Sequence, residues 1–231
     1  MNYLLPLLSV LIGYAVALFL KTGNKTNLKL LLAFSGSFLL SLTVLHLLPE
    51  VYETTLHDSE DHGHGLSIGI FIMGGILLQI VLEFFSKGAE HGHVHGHLEM
   101  HQIPWLLFIS LCLHALLEGF PVGHHHDLAW GIAVHHLPIA IILTLFFLNS
   151  HLSKPKVFAF MFTFALMTPL GTLASDSFPV LAQYYAQITA VVIGILFHIS
   201  STIIFEASEN HKFNIAKITV IILGILLASF L

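Results

Sequence analysis

Four residues in the middle of this chain have the types and spacing to hold a metal ion: His114, Glu118, His135 and His136. Histidine and glutamate four positions apart share one face of a helix. His135 and His136 lie on the next apolar segment. His114 and Glu118 average about three residues outward of the middle of theirs, and His135 and His136 about three to four outward of the middle of a segment running the other way. Both sets therefore reach the same depth. Imidazole and carboxylate at one level suit a borderline dication such as Zn²⁺. Hydrogen bonding between helices would account for one buried histidine. Three histidines and a glutamate at matched depth, in apolar segments where ionisable groups are costly, point to a functional site. Pro138 adds to it, because a proline frees the carbonyl four residues back, here that of Val134. Gly119, Pro121 and Gly123 loosen the outer end of the first segment.

Other polar residues extend this centre into a graded ladder. His46 and Glu50 lie at the outer end of the second apolar segment, and His198 near the middle of the seventh. Glu83 and Glu206 lie at the inner ends of the third and seventh. A helix-end residue at the membrane interface is the competing reading, strongest for Glu50 and Glu206. The run Glu90-His-Gly-His-Val-His-Gly-His97 places His91, His93, His95 and His97 at alternate positions of a Gly-rich stretch, with His101 beyond. Such a segment is flexible and chelating rather than a packed element. Cys112 reads as a small packing residue. An intramembrane zinc-dependent hydrolase is the alternative from another class, but the His-Glu-x-x-His signature is absent and no Ser stands beside a base near the centre. A metal sensor that binds without moving the ion is a third reading, and the kinks at the centre argue against it. We expect no enzyme activity, no catalytic residues and no catalytic cofactor.

The elements that must position these residues are transmembrane helices. The chain has 231 residues, 56% hydrophobic and 9% charged, too few charges for a soluble surface. Its mean hydropathy is +0.88. A hydrocarbon core about 30 Å thick needs about 20 apolar residues. Eight segments qualify: Tyr3–Leu20, Leu28–Pro49, Leu66–Phe85, Ile103–Phe120, Trp130–Leu148, Val157–Ala174, Ile188–Phe205 and Ile215–Leu231. The first has no basic leader and no small-residue cleavage site, so it reads as a retained helix. There is no Arg, and every Lys lies at an odd-numbered loop: Lys21, Lys25, Lys29, Lys87, Lys154, Lys156, Lys212 and Lys217. Those loops should be cytoplasmic, which puts both termini outside. The even loops carry acid and histidine, including His57, Asp58, Glu60, Asp61, His124 and Asp127. The expectation is an all-α polytopic membrane protein of one domain, 1–231, with a His-rich cytoplasmic loop at about 87–102. It should reside in the plasma (inner) membrane. The expected partners are a divalent metal ion and membrane lipid, with a homodimer left open and no nucleic acid.

In these motifs the chain resembles the ZIP family of zinc/iron-regulated metal transporters. The resemblance rests on His114-Ala-Leu-Leu-Glu118-Gly119 and His135-His136-Leu-Pro138, supported by His46-Leu-Leu-Pro49-Glu50, the His-rich loop, Pro169-Leu-Gly171 and the eight spans. It implies uptake of Zn²⁺, often with Fe²⁺, Mn²⁺ or Cd²⁺, into the cytoplasm by alternating access. It also implies a metal site between spans four and five and a 3+2+3 helix bundle, with inverted three-helix repeats around that pair. Two positions depart from the family's usual pattern. Ile139 follows the proline where Glu or His often stands, and Ala115 follows the span-four histidine where a polar ligand is common. His136 also replaces a frequent acid. The resulting site is richer in histidine and poorer in carboxylate, which favours one bound ion over a bridged pair.

Overall fold

The computed structural model describes residues 4–19, 25–57, 63–86, 105–123, 126–149, 152–206 and 214–231. The described residues are helical almost throughout. Leu4–Phe19 is α1; Lys25–Leu42 is α2, followed by a π-helical turn Thr43–Leu47 and by α3, Leu48–His57. The remaining helices are α4 (Gly63–Ser86), α5 (Trp105–Glu118), α6 (His126–Asn149), α7 (Lys154–Ser177), the short α8 (Pro179–Gln183), α9 (Tyr185–Glu206) and α10 (Ile215–Ser229). Among the described residues, six stretches are long and apolar enough to cross a membrane: Asn27–Glu53, Ser67–Phe85, Trp105–Gly123, Asp127–Asn149, Lys154–Ser177 and Tyr185–Phe205. The first and last of the eight expected spans form shorter apolar helices, α1 and α10, of 16 and 15 residues.

Local chemistry sets the irregularities. Pro49 cannot donate a hydrogen bond to Leu45 and would clash with its carbonyl, and the wider π-helical turn over Thr43–Leu47 accommodates this. Thr43 Oγ1 donates to the Leu39 carbonyl at 2.8 Å, and Ser41 Oγ to that of Ser37 at 2.8 Å. α5 stops at Glu118, just before Gly119 and Pro121, and a 3₁₀ turn Pro121–Gly123 follows. Phe178 ends α7 in the extended region, as the residue before Pro179 should. α6 runs through Pro138, and α7 through Pro169, as single helices.

The helices pack in two sets. α1, α5, α6 and α7 form one, and α2, α4, α9 and α10 the other. The main hydrophobic cluster of the first set joins Val10, Leu111, Ile139, Leu143, Phe147 and Phe164. A second cluster bridges the sets, with Leu39, Ile72 and Leu196 packed on Leu128 and Ile132 of α6. α6 is the most buried of the long spans and α4 the least. The exposed side chains of α4 include Ile70, Met73, Leu77, Val81 and Phe84, a face suited to lipid.

Lipid gives no hydrophobic drive between helices, so close packing holds each set together. Two crossings depend on glycine. A Cβ at Gly75 in α4 would lie 2.0 Å from the Val191 carbonyl oxygen of α9, and one at Gly194 in α9 would lie 3.0 Å from Gly75 Cα. A Cβ at Gly171 in α7 would lie 1.9 Å from the Leu116 carbonyl oxygen of α5. The second crossing holds the helix that carries His114 and Glu118.

Candidate metal centre

His114 and Glu118 project from the last turn and a half of α5, and His135 and His136 from the middle of α6. Three ties fix α5 and α6 in place. Gly171 brings α7 against Leu116, between the two α5 ligands. Thr172 Oγ1 donates to the Gly119 carbonyl at 2.7 Å, pinning the end of α5 where its own helical partners run out. Ser9 of α1 donates to the Ala133 carbonyl, two residues before His135.

The four side chains converge. His114 Nε2 lies 3.1 Å from Glu118 Oε1, and His136 Nε2 lies 3.1 Å from Glu118 Oε2. One ligand atom each from His114, Glu118 and His135 fit within 4.8 Å of one another. The rings of His135 and His136 have centroids 5.9 Å apart, and Phe164 of α7 packs on His136 at 5.5 Å. All four are buried, at 2% exposure or less. The depth match drawn from the two helices is therefore realised as contact.

The spacing suits a small dication. Bonds of about 2.0–2.1 Å in a tetrahedral shell place neighbouring ligand atoms about 3.3 Å apart. The two 3.1 Å contacts need little adjustment. Without an ion, Glu118 Oε2 can accept a hydrogen bond from His136 Nε2, while Oε1 faces His114 Nε2. A dication held here would take the place of the Nε2 protons, which would move to Nδ1 or leave to water, and the carboxylate would offset part of its charge. Ala115 and Ile139 lie in the apolar cluster with Leu111 and Leu143 and supply no further ligand.

His46 and Glu50 line a cavity of about 250 Å³ between α2, α3 and the start of α6. His46, Glu50, Glu53 and Asp127 border it, with Leu42 and Leu128. His46 Nε2 also lies 3.3 Å from the Ala228 carbonyl of α10. Glu53 and Asp127 were not singled out as site residues. The three-residue step from Glu50 to Glu53 was a usable signal, whereas Asp127 is brought here only by packing. His198 and Glu83 meet on a different helix pair, with Nε2 and Oε2 2.6 Å apart. Glu206 ends α9, and its side chain lies outside the described residues, as do His91, His93, His95, His97 and His101.

No family model matches the chain. It is 33% identical over 84 residues to the rat (Rattus norvegicus) protein named Zinc transporter SLC39A7, a match covering 32% of this chain and 18% of that protein. Over 193 residues it is 25% identical to Zinc transporter ZIP1 of Danio rerio, covering 64% of each. Over 105 residues it is 29% identical to Protein zntD of Dictyostelium discoideum, covering 38% of this chain and 15% of that one. The chain thus spans less than a fifth of the rat relative's length and just under two thirds of the zebrafish one. The resemblance to the ZIP family read from the motifs is upheld by these relatives.

Proposed function

We propose that this ZIP-like chain carries a divalent transition metal, Zn²⁺ foremost, across a membrane into the cytoplasm by alternating access. One observation carries the reading: the convergence of His114, Glu118, His135 and His136, all buried, between two apolar helices. Ionisable side chains at such depth are retained where a substrate needs them. The relatives' names add the class of substrate. Fe²⁺, Mn²⁺ and Cd²⁺ have compatible ligand demands and are expected as further substrates. Nothing in the site favours the hydrolase alternative.

In this reading α1 and α10 also cross, giving eight spans in the ZIP-like 3+2+3 arrangement with the Lys-bearing loops inside. The membrane is the plasma (inner) membrane. The cavity beside His46 and Glu50 then opens on the outer side and gathers the cation. The His-rich loop receives it inside. The central ligands sit between these two regions, and the ion moves as access to them alternates.

The test is uptake into proteoliposomes loaded with a metal-sensitive dye. Time-dependent Zn²⁺ entry that disappears in a His114→Ala, Glu118→Ala double variant supports the proposal. Zn²⁺ binding without entry would favour a receptor and overturn it.

A further inference from the structure

We infer that the seam between α4 and α9 holds a second divalent transition-metal site, built from Glu83, His198 and Gln79 and separate from the centre between α5 and α6. The two helices touch backbone to backbone where Gly75 meets Gly194. One helical turn further along α4 lies Gln79, and one turn beyond it Glu83. One turn beyond Gly194 on α9 lies His198, whose Nε2 meets Glu83 Oε2 at 2.6 Å. By helical spacing Gln79 lies between the glycine crossing and Glu83 along α4. It is fully buried, and neither its amide oxygen nor its amide nitrogen has a hydrogen-bond partner. A buried amide left bare is destabilising and calls for a water or an ion.

The chemistry fits a dication. The three groups offer one carboxylate, one imidazole and one amide oxygen, a donor set for Zn²⁺, Fe²⁺ or Mn²⁺. The 2.6 Å contact is a hydrogen bond, which a bound ion would replace by expelling the shared proton to water. The two atoms must then part by about 0.7 Å to reach the spacing of about 3.3 Å that a tetrahedral shell requires. The pair is only partly buried. A groove of about 450 Å³ lined by Ile76, Phe197, Ser201, Thr202 and Phe205 reaches His198. The Gly75–Gly194 contact closes the seam at the other end. All four central ligands belong to one helix set, and this trio belongs to the other. An ion handed from the first site to the second would therefore pass between the sets. Binding at the seam does not depend on the transport reading.

The experiment is a Co²⁺ titration of purified protein in detergent, followed by the visible d–d bands of the ion. The background variant carries His114→Ala and Glu118→Ala, with His91, His93, His95, His97 and His101 each changed to Ser. Of the Co²⁺ it retains, one equivalent should be abolished by His198→Gln and weakened by about tenfold or more by Gln79→Leu. Glu83→Cys, made with Cys112→Ala, should add a thiolate-to-cobalt charge-transfer band, which only direct ligation produces. A bound-Co²⁺ count indifferent to His198→Gln, with no such band, would show that the pair only clamps two helices. Loss of Zn²⁺ transport with this site intact would count against the proposed function alone.

Discussion

Gly171→Ala tests the packing logic of the central site without touching a ligand. The added Cβ would lie 1.9 Å from the Leu116 carbonyl oxygen, where ordinary contact begins at 3.4 Å. It would also lie 3.2 Å from Gly119 Cα. Both obstacles are backbone, so no side chain can rotate away. α5 and α7 must part by roughly 1.5 Å at a point flanked by His114 and Glu118. Metal–ligand distances tolerate about 0.2 Å. His114 and Glu118 would move with α5 while His135 and His136 stay with α6, so one ion could not meet both pairs. Misplacement of about 1 Å costs on the order of 100-fold at a positioned site, and overpacking costs about 1–3 kcal/mol of stability. The expected result is a folded protein with somewhat lower yield whose Zn²⁺ affinity, measured by competition with a chromophoric chelator, falls by about 100-fold. Gly119→Ala approaches the same crossing from the other side, 2.1 Å from the Thr168 carbonyl oxygen, and should act alike. Gly74→Ala, with nothing within 4 Å, should change neither binding nor yield. Wild-type affinity in folded Gly171→Ala would refute the claim that this crossing sets the ligand geometry.

His114→Ala, Glu118→Ala and His136→Ala should each reduce uptake by more than the roughly 10- to 100-fold that losing an outer-shell partner costs, with surface expression kept. Near-normal uptake in all three would end the assignment. Changing His91, His93, His95, His97 and His101 to Ser should lower cytoplasmic metal capture, read as bound metal per chain, yet retain uptake; complete loss in a well-folded protein would contradict the tuning role. Imidazole ligates only when neutral, so protons compete with the metal. Uptake should therefore fall as the outside is acidified, and a steady rise toward pH 5 would refute proton competition.

Much of this protein is legible in one dimension. Apolar length requires helices in a membrane, and lysine placement suggests which loops face inward. The four-residue step from His114 to Glu118 is a property of the helix itself, and opposite counting along α5 and α6 brings His135 and His136 to the same depth. Those facts depend on rise per residue and side-chain chemistry, which are local. The partners of each helix are another matter. A lipid-embedded helix is apolar all round, so it carries little amphipathic signal to say which face meets a neighbour. That choice belongs to small residues in register on two helices at once, Gly171 against Gly119 and Gly75 against Gly194. The consequences that only the folded chain decides follow from those contacts: Asp127 joins His46 at one cavity, Glu83 meets His198 away from the centre, and Gln79 is buried. Each needs two segments far apart in the chain to meet at one height and one angle, and no spacing within either segment encodes the angle.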